Sequence, residues 1–191
     1  MESIETFAAR YIRENERLLA SLNPADIASV ITLIRKARDS GRRIFAIGNG
    51  GSASTASHFV NDLGKGASLG RETRFKVIPL TDNVEWMTAL SNDLSYEDVF
   101  VEQLKNFAER GDVLLAISGS GNSENVLRAV RFANGRGCYT VGFAGFGGGK
   151  LKDLVRRCIV VDSDHMGRVE DIHLVLQHIV CYYFMDAERS R

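Results

Sequence analysis

His58 and Asp62 stand four residues apart, and Glu170 and His178 eight apart, each pair in a stretch with helical spacing. Residues i and i+4 share a helix face, and eight residues make a little over two turns, so each pair points roughly one way. Two imidazoles and two carboxylates form a four-ligand set suited to Zn²⁺, and an imidazole paired with a carboxylate suits proton transfer near neutral pH. The same groups also occur as satisfied interface or surface residues, and spacing leaves both readings open. His173, in the same polar group as Gln177, reads as a packing or supporting residue, and nothing in the spacing of His165 requires a ligand.

A repeated loop supplies the second chemical feature. Gly48-Asn49-Gly50-Gly51-Ser52 follows the apolar run Ile44–Ile47, and Ser118-Gly119-Ser120-Gly121-Asn122-Ser123 follows Val113–Ile117. Both runs are unbroken and too short for helices, the pattern of a parallel strand covered on both faces. Each loop also opens a helical stretch. Glycine lets the backbone turn sharply and approach a ligand, the helix N-terminus offers free N–H groups, and serine hydroxyls add donors. An anion, read as a phosphate, is the expected occupant. Neither loop ends in Gly-Lys-Ser/Thr, and Gly48-x-Gly50 lacks the third glycine of the dinucleotide fingerprint, so a sugar phosphate is expected rather than a nucleotide.

The elements that must position these groups are readable too. Five apolar runs, Arg43–Ile47, Phe75–Leu80, Val113–Ile117, Tyr139–Ala144 and Arg157–Val161, alternate with helical stretches such as Asn122–Arg136. That alternation predicts an α/β fold, a three-layer αβα sandwich around a five-stranded parallel sheet. A helix over Ser52–Lys65 carries His58 and Asp62 away from the first loop, and a last helix from Arg168 to about Glu188 carries Glu170 and His178. A helical hairpin comes first. Its first arm bears a stripe including Ile4, Phe7, Tyr11, Ile12 and Leu19, and Asn23-Pro24-Ala25-Asp26 starts a second arm running to Gly41. Such a hairpin can cover its own sheet or pair with another subunit, and the breadth of the stripe favours a partner subunit.

The chain has 191 residues and 45% hydrophobic content, read as one domain over 1–191 with 1–41 as a helical extension. Its 24 basic and 24 acidic side chains cancel, which gives no electrostatic reason to expect nucleic acid or an anionic membrane as partner. No apolar stretch nears the ~20 residues that span a bilayer, and the acidic, amphipathic start does not match a signal peptide. A cytoplasmic protein is expected. Cys138, Cys158 and Cys181 lack CxxC spacing and read as reduced core residues.

Five separated motifs together carry a family resemblance. Gly48-Asn49-Gly50-Gly51-Ser52-Ala53 with His58-Phe59, Ser91-Asn92-Asp93, Gly111–Ser118, Gly121-Asn122-Ser123, and Glu170-Asp171-Ile172-His173 with His178 resemble the phosphoheptose isomerases of the sugar isomerase (SIS) class. The resemblance covers nearly the whole chain. It implies a flavodoxin-like SIS fold, a homotetramer with active sites between subunits, and conversion of sedoheptulose 7-phosphate to D-glycero-D-manno-heptose 7-phosphate for lipopolysaccharide precursors. It further implies one zinc ion per site held by His58, Asp62, Glu170 and His178, with Asp62 and His178 as the acid and base. Ser52, Ser118, Ser120 and Ser123 would hold the phosphate. Asn49, Gly50, Gly51, Asn92, Asp93, Gly119 and Glu170 would line the substrate. Three departures from the family stand out: Asp62 where glutamate is usual, Glu170 where glutamine is usual, and Gly119 where threonine is common. Gly167 also replaces a frequent aspartate. Two further SIS readings share these loops, a non-catalytic scaffold binding the replication initiator and a sugar-phosphate sensor; the scaffold relatives tend to lose the histidine that this chain keeps as His178.

Overall fold

The five apolar runs form five parallel strands, as a chain alternating strand and helix must if every crossover is to pack back on the sheet. The structure is a computed structural model describing residues 2–188. The strands are β1 (Arg43–Gly48), β2 (Lys76–Pro79), β3 (Val113–Ser118), β4 (Tyr139–Ala144) and β5 (Arg157–Val160), in the order β2-β1-β3-β4-β5. β1 and β3 are neighbours although β2 lies between them in sequence, so the chain reverses its direction of travel there. Outside the carboxyl ends of such a pair lies the crevice where open α/β sheets bind ligands. Pro79 sits on β2, an edge strand, where a missing N–H costs no central ladder bond.

The helices are α1 (Ile4–Ser21), α2 (Pro24–Asp39), α3 (Gly51–Asn61), α4 (Val84–Asp93), α5 (Val101–Phe107), α6 (Glu124–Arg136), α7 (Gly149–Leu154) and α8 (Met166–Tyr182). One core joins α2, α3 and α8 to a sheet face through residues such as Ile34, Phe59, Phe143, Ile172 and Leu176. A second core, including Phe45, Leu104, Leu114, Leu127 and Leu151, joins α5, α6 and α7 to the other face. The three layers are thus those expected. Cys138 and Cys181 are buried and Cys158 half-buried, all free thiols; burial raises Cys138 and Cys158 to about 11 and pushes Cys181 up as well.

The hairpin divides its roles. α2 lies on the chain's own sheet, burying Ile27, Val30, Ile31 and Ile34. α1 buries only Leu18 and leaves Ile4, Phe7, Ile12 and Leu19 exposed. Polar contacts tie it to α8: Tyr11 Oη and Asn15 Nδ2 donate to Asp171 Oδ2 at 2.7 and 2.8 Å, and Arg168 pairs with Glu14 at 2.6 Å. No single helix among the described residues is long and apolar enough to cross a membrane.

The helix expected over Ser52–Lys65 is two pieces. α3 ends at Asn61, and Asp62–Gly66 widens into a π-turn whose Ala67 N–H donates to the Asp62 carbonyl at 2.8 Å. A π-turn inserts one residue into the helical ladder and re-aims the side chains around it, which is why such turns recur at functional sites. Asp62 stands at that junction.

Candidate functional site

The two glycine-serine loops lie side by side because β1 and β3 do, with Gly48 opposite Ile117 in register. The first loop passes its chain into α3 and the second into α6. Side chains cap the N-termini of α1, α2, α4 and α8, namely Ser3, Asn23, Asn83 and His165. The starts of α3 and α6 carry no side-chain cap, although Ser123 stands in the capping position of α6. Its hydroxyl instead lies 3.5 Å from that of Ser118, while Ser52 and Ser118 are both buried. Two helix starts without a side-chain cap and a group of hydroxyls make a pocket of donors suited to an anion. Ser120 Oγ accepts from Asn122 N, and the Asn122 amide ties the loop to the start of α7 through Lys150 N.

Asn49 is held by a reciprocal amide pair with buried Asn125, both bonds at 2.9 Å, and its Oδ1 also accepts from Tyr96 Oη at 3.0 Å. Asn125 and Tyr96 were not readable as site residues. The available signal was a polar side chain on the buried face of a helix, directly before Val126-Leu127. Asn92 and Asp93 are exposed at the end of α4 and bond each other at 2.9 Å, four and three residues before Tyr96. Gly119 leaves room that Met166 fills: a Cβ there would lie 2.4 Å from Met166 Sδ.

Packing of α3 against α8 brings the polar residues of the two helices together. His58 Nε2 lies 3.4 Å and His178 Nε2 3.9 Å from Asp62 Oδ2, and the two imidazoles meet edge to face with centroids 4.9 Å apart. All three donor atoms fall within 4.8 Å of one another. Two donors, each about 2.1 Å from a tetrahedral ion, stand about 3.4 Å apart, so the His58–Asp62 spacing already matches, the His178–Asp62 spacing must close by about half an ångström, and the two histidines, within 4.8 Å of each other, must close on the same point. Two imidazoles and a carboxylate therefore fit zinc. The group is open on one side, with the two histidine side chains 44% and 40% exposed and Asp62 at 12%.

Glu170 does not join this group. Eight residues of helix put it about 12 Å along α8 from His178, and its carboxylate lies over Gly51, so close that a Cβ there would stand 2.5 Å from Oε1. One helix thus serves both ends of the crevice, with Glu170 at the anion pocket and His178 at the His-Asp-His group. Gln177, fully buried behind that group, donates to Asp62 Oδ2 at 2.7 Å. His173 is also fully buried, and burial lowers its pKa to about 4, so it stays neutral and packs beside Phe143. His165 caps α8 and stacks edge-on with Tyr11, away from the crevice chemistry.

A doubly wound sheet with an anion-competent pair of loops at its switch point and a metal-competent His-Asp-His group beside it defines a ligand-binding α/β protein of the doubly wound class. The chain belongs to the SIS domain family, whose sequence model matches residues 10–145. A probable phosphoheptose isomerase from Thermoplasma acidophilum is 37% identical over 174 residues, covering 91% of this chain and 95% of that protein. The solved phosphoheptose isomerase GmhA of Neisseria gonorrhoeae superposes with a TM-score of 0.85 at 28% identity, covering 95% of this chain and 96% of that one. A phosphoheptose isomerase from Francisella tularensis gives 0.87 at 26% identity, with 96% of each chain covered.

Proposed function

We propose that this chain is a phosphoheptose isomerase, an aldose–ketose isomerase interconverting sedoheptulose 7-phosphate and D-glycero-D-manno-heptose 7-phosphate in the making of lipopolysaccharide heptose. The observation that carries this reading is the pairing, in one crevice, of a phosphate cradle with a His58-Asp62-His178 group. Full-length likeness to phosphoheptose isomerases supports it.

Ser52, Ser118, Ser120 and Ser123 bind the phosphate at the starts of α3 and α6. Asn49, oriented by Asn125, and the nearby Asn92 and Asp93 take sugar hydroxyls, with Gly50, Gly51 and Gly119 letting the backbone close on the ligand. The reaction moves one proton between adjacent carbons: a base removes it beside the carbonyl, an enediol forms, and the proton returns on the neighbouring carbon while the oxygens exchange theirs. Asp62 and His178 act as the acid and base. A zinc ion held by His58, Asp62 and His178 would polarise the substrate carbonyl. Glu170 joins that ligand set only if its carboxylate leaves Gly51; otherwise it faces the substrate.

The exposed apolar face of α1, Ile4, Phe7, Ile12 and Leu19, supports assembly with further copies of the chain as a homotetramer with active sites at subunit interfaces. A cytoplasmic location belongs to the same reading. The deciding experiment incubates the purified protein with sedoheptulose 7-phosphate and follows the mixture by NMR. A heptose aldose phosphate is expected. Absence of product with every five- to seven-carbon ketose phosphate would overturn the enzyme reading, and a protein that purifies without zinc while binding the sugar phosphate would be a sensor.

A further inference from the structure

At the opposite edge of the sheet, the amino ends of the strands open onto a cleft of about 810 Å³. Lys36 of α2, Arg42 before β1, Tyr139 at the start of β4, and Arg156 and Arg157 at the start of β5 line it, and no carboxylate does. In a chain whose 24 basic and 24 acidic residues balance, four cations here stand without a facing acid. Arg156 lies over the Tyr139 ring at 4.9 Å. Among the described residues, the side chains of Lys36, Arg42 and Arg157 make no ion pair or hydrogen bond. Arg110 and Arg136 line a smaller recess of about 280 Å³ that shares Gly111, Tyr139 and Arg156 with the cleft.

Unpaired cations gathered in one concavity repel one another, and low-dielectric walls focus their field on whatever enters. A multiply charged anion relieves that repulsion. Its size follows from the sheet. β1 and β5 are separated by three strand spacings in the order β2-β1-β3-β4-β5, about 14 Å at ~4.8 Å each. An extended arginine side chain covers about half that span, so Arg42 and Arg157 can close on one phosphate while Lys36 and Arg156 leave cations for a second one linked to it, with guanidinium groups gripping the oxygens in pairs. The volume suits a small molecule.

We propose that this cleft is a second ligand site, taking a small polyphosphate-bearing molecule. It is distinct from the catalytic crevice: β1 runs from Arg43 beside the cleft to Gly48 beside the first loop, about 17 Å at ~3.3 Å per residue. The inference does not depend on the isomerase reading.

The test is calorimetric titration of the full chain with inorganic pyrophosphate and with ADP at low salt. Saturable binding is expected, weakened at least tenfold in an Arg42→Gln/Arg157→Gln variant and unchanged in Ser118→Ala, which alters the catalytic phosphate cradle. Circular dichroism checks that the double variant folds, and Lys36→Gln, on a different element, gives an independent loss. Equal affinity for both probes means the site reads phosphates alone; tighter ADP binding means it also holds the nucleoside, and either supports the proposal. No binding at millimolar concentration, loss in Ser118→Ala but not in the arginine variant, or a single-stranded oligonucleotide displacing ADP at lower concentration would each overturn it.

Discussion

The side-chain amide of Gln177 donates to Asp62 Oδ2 at 2.7 Å from a position with no solvent exposure. Buried behind the carboxylate, it fixes one oxygen of Asp62 between His58 and His178, and Cys181 Sγ lies 3.6 Å from the same amide. Aspartate is one methylene shorter than the glutamate usual in the resembling family. The Gln177 bond and the π-turn at Asp62 together hold this shorter acid against His58 and His178. Gln177→Leu keeps the volume and removes the donor. Zinc affinity measured by competition with a chelating dye should fall by about 10- to 100-fold, the usual cost of losing a group that orients a ligand. Unchanged affinity would show that Asp62 needs no support.

His178→Ala should lower kcat by about 10² to 10⁴, the range for a positioned acid or base. His178 stands at the far end of α8 from the phosphate cradle, so KM should move by only a few-fold. Steady-state kinetics separate the two constants, and product formed at the normal rate would remove His178 from the chemistry.

Glu170→Gln should lower KM. The carboxylate over Gly51 places a negative charge beside the start of α3, where the substrate phosphate is proposed to bind. Two like charges about 4 Å apart cost about 1 kcal/mol in water-like surroundings, a roughly 5-fold change in affinity. A raised KM would instead assign Glu170 a direct bond to a sugar hydroxyl.

His173 makes stability depend on pH. Burial holds it near 4 in the folded protein, against about 6.5 when unfolded. Between those values the unfolded chain binds the extra proton, so the stabilisation from a neutral buried imidazole is present above about pH 6.5 and is lost as pH falls toward 4. The difference amounts to about 3 kcal/mol. Urea denaturation at pH 7 and pH 4.5 should show it, and the His173→Leu variant should lose that part of the slope.

Gly121 and Gly119, two residues apart, should respond to alanine by very different amounts. At Gly121 φ is +65° and a Cβ would lie 2.0 Å from the Gly148 carbonyl oxygen, a backbone atom that cannot step aside. Gly121→Ala should cost more than about 3 kcal/mol or misplace the loop. At Gly119 the obstacle is the flexible end of Met166, so Gly119→Ala should cost under about 1 kcal/mol. Thermal unfolding of the two variants makes the comparison.

Strands and loops were legible because their signals are local. The unbroken runs Ile44–Ile47 and Val113–Ile117 became β1 and β3 within a residue, and the Gly-Ser loops after them became uncapped helix starts. The pair His58 and Asp62 was legible for the same reason, since one helix turn joins them. Glu170 was less so. Its direction on α8 matched that of His178, but helical rise separates the two along the axis, and only the neighbour each one meets tells Gly51 from Asp62.

Sequence alone determined the parallel α/β architecture, the two anion loops and the residue types of the His-Asp-His group, because strand and helix periods and glycine-serine chemistry act over a few residues. Tertiary structure decided which of those residues meet. The bond from Gln177 to Asp62 spans 115 residues, and the cations of the amino-terminal cleft come from α2, β1 and β5. Both depend on strand order and on how α8 packs against α3, which the close packing of many side chains sets together and no short stretch encodes.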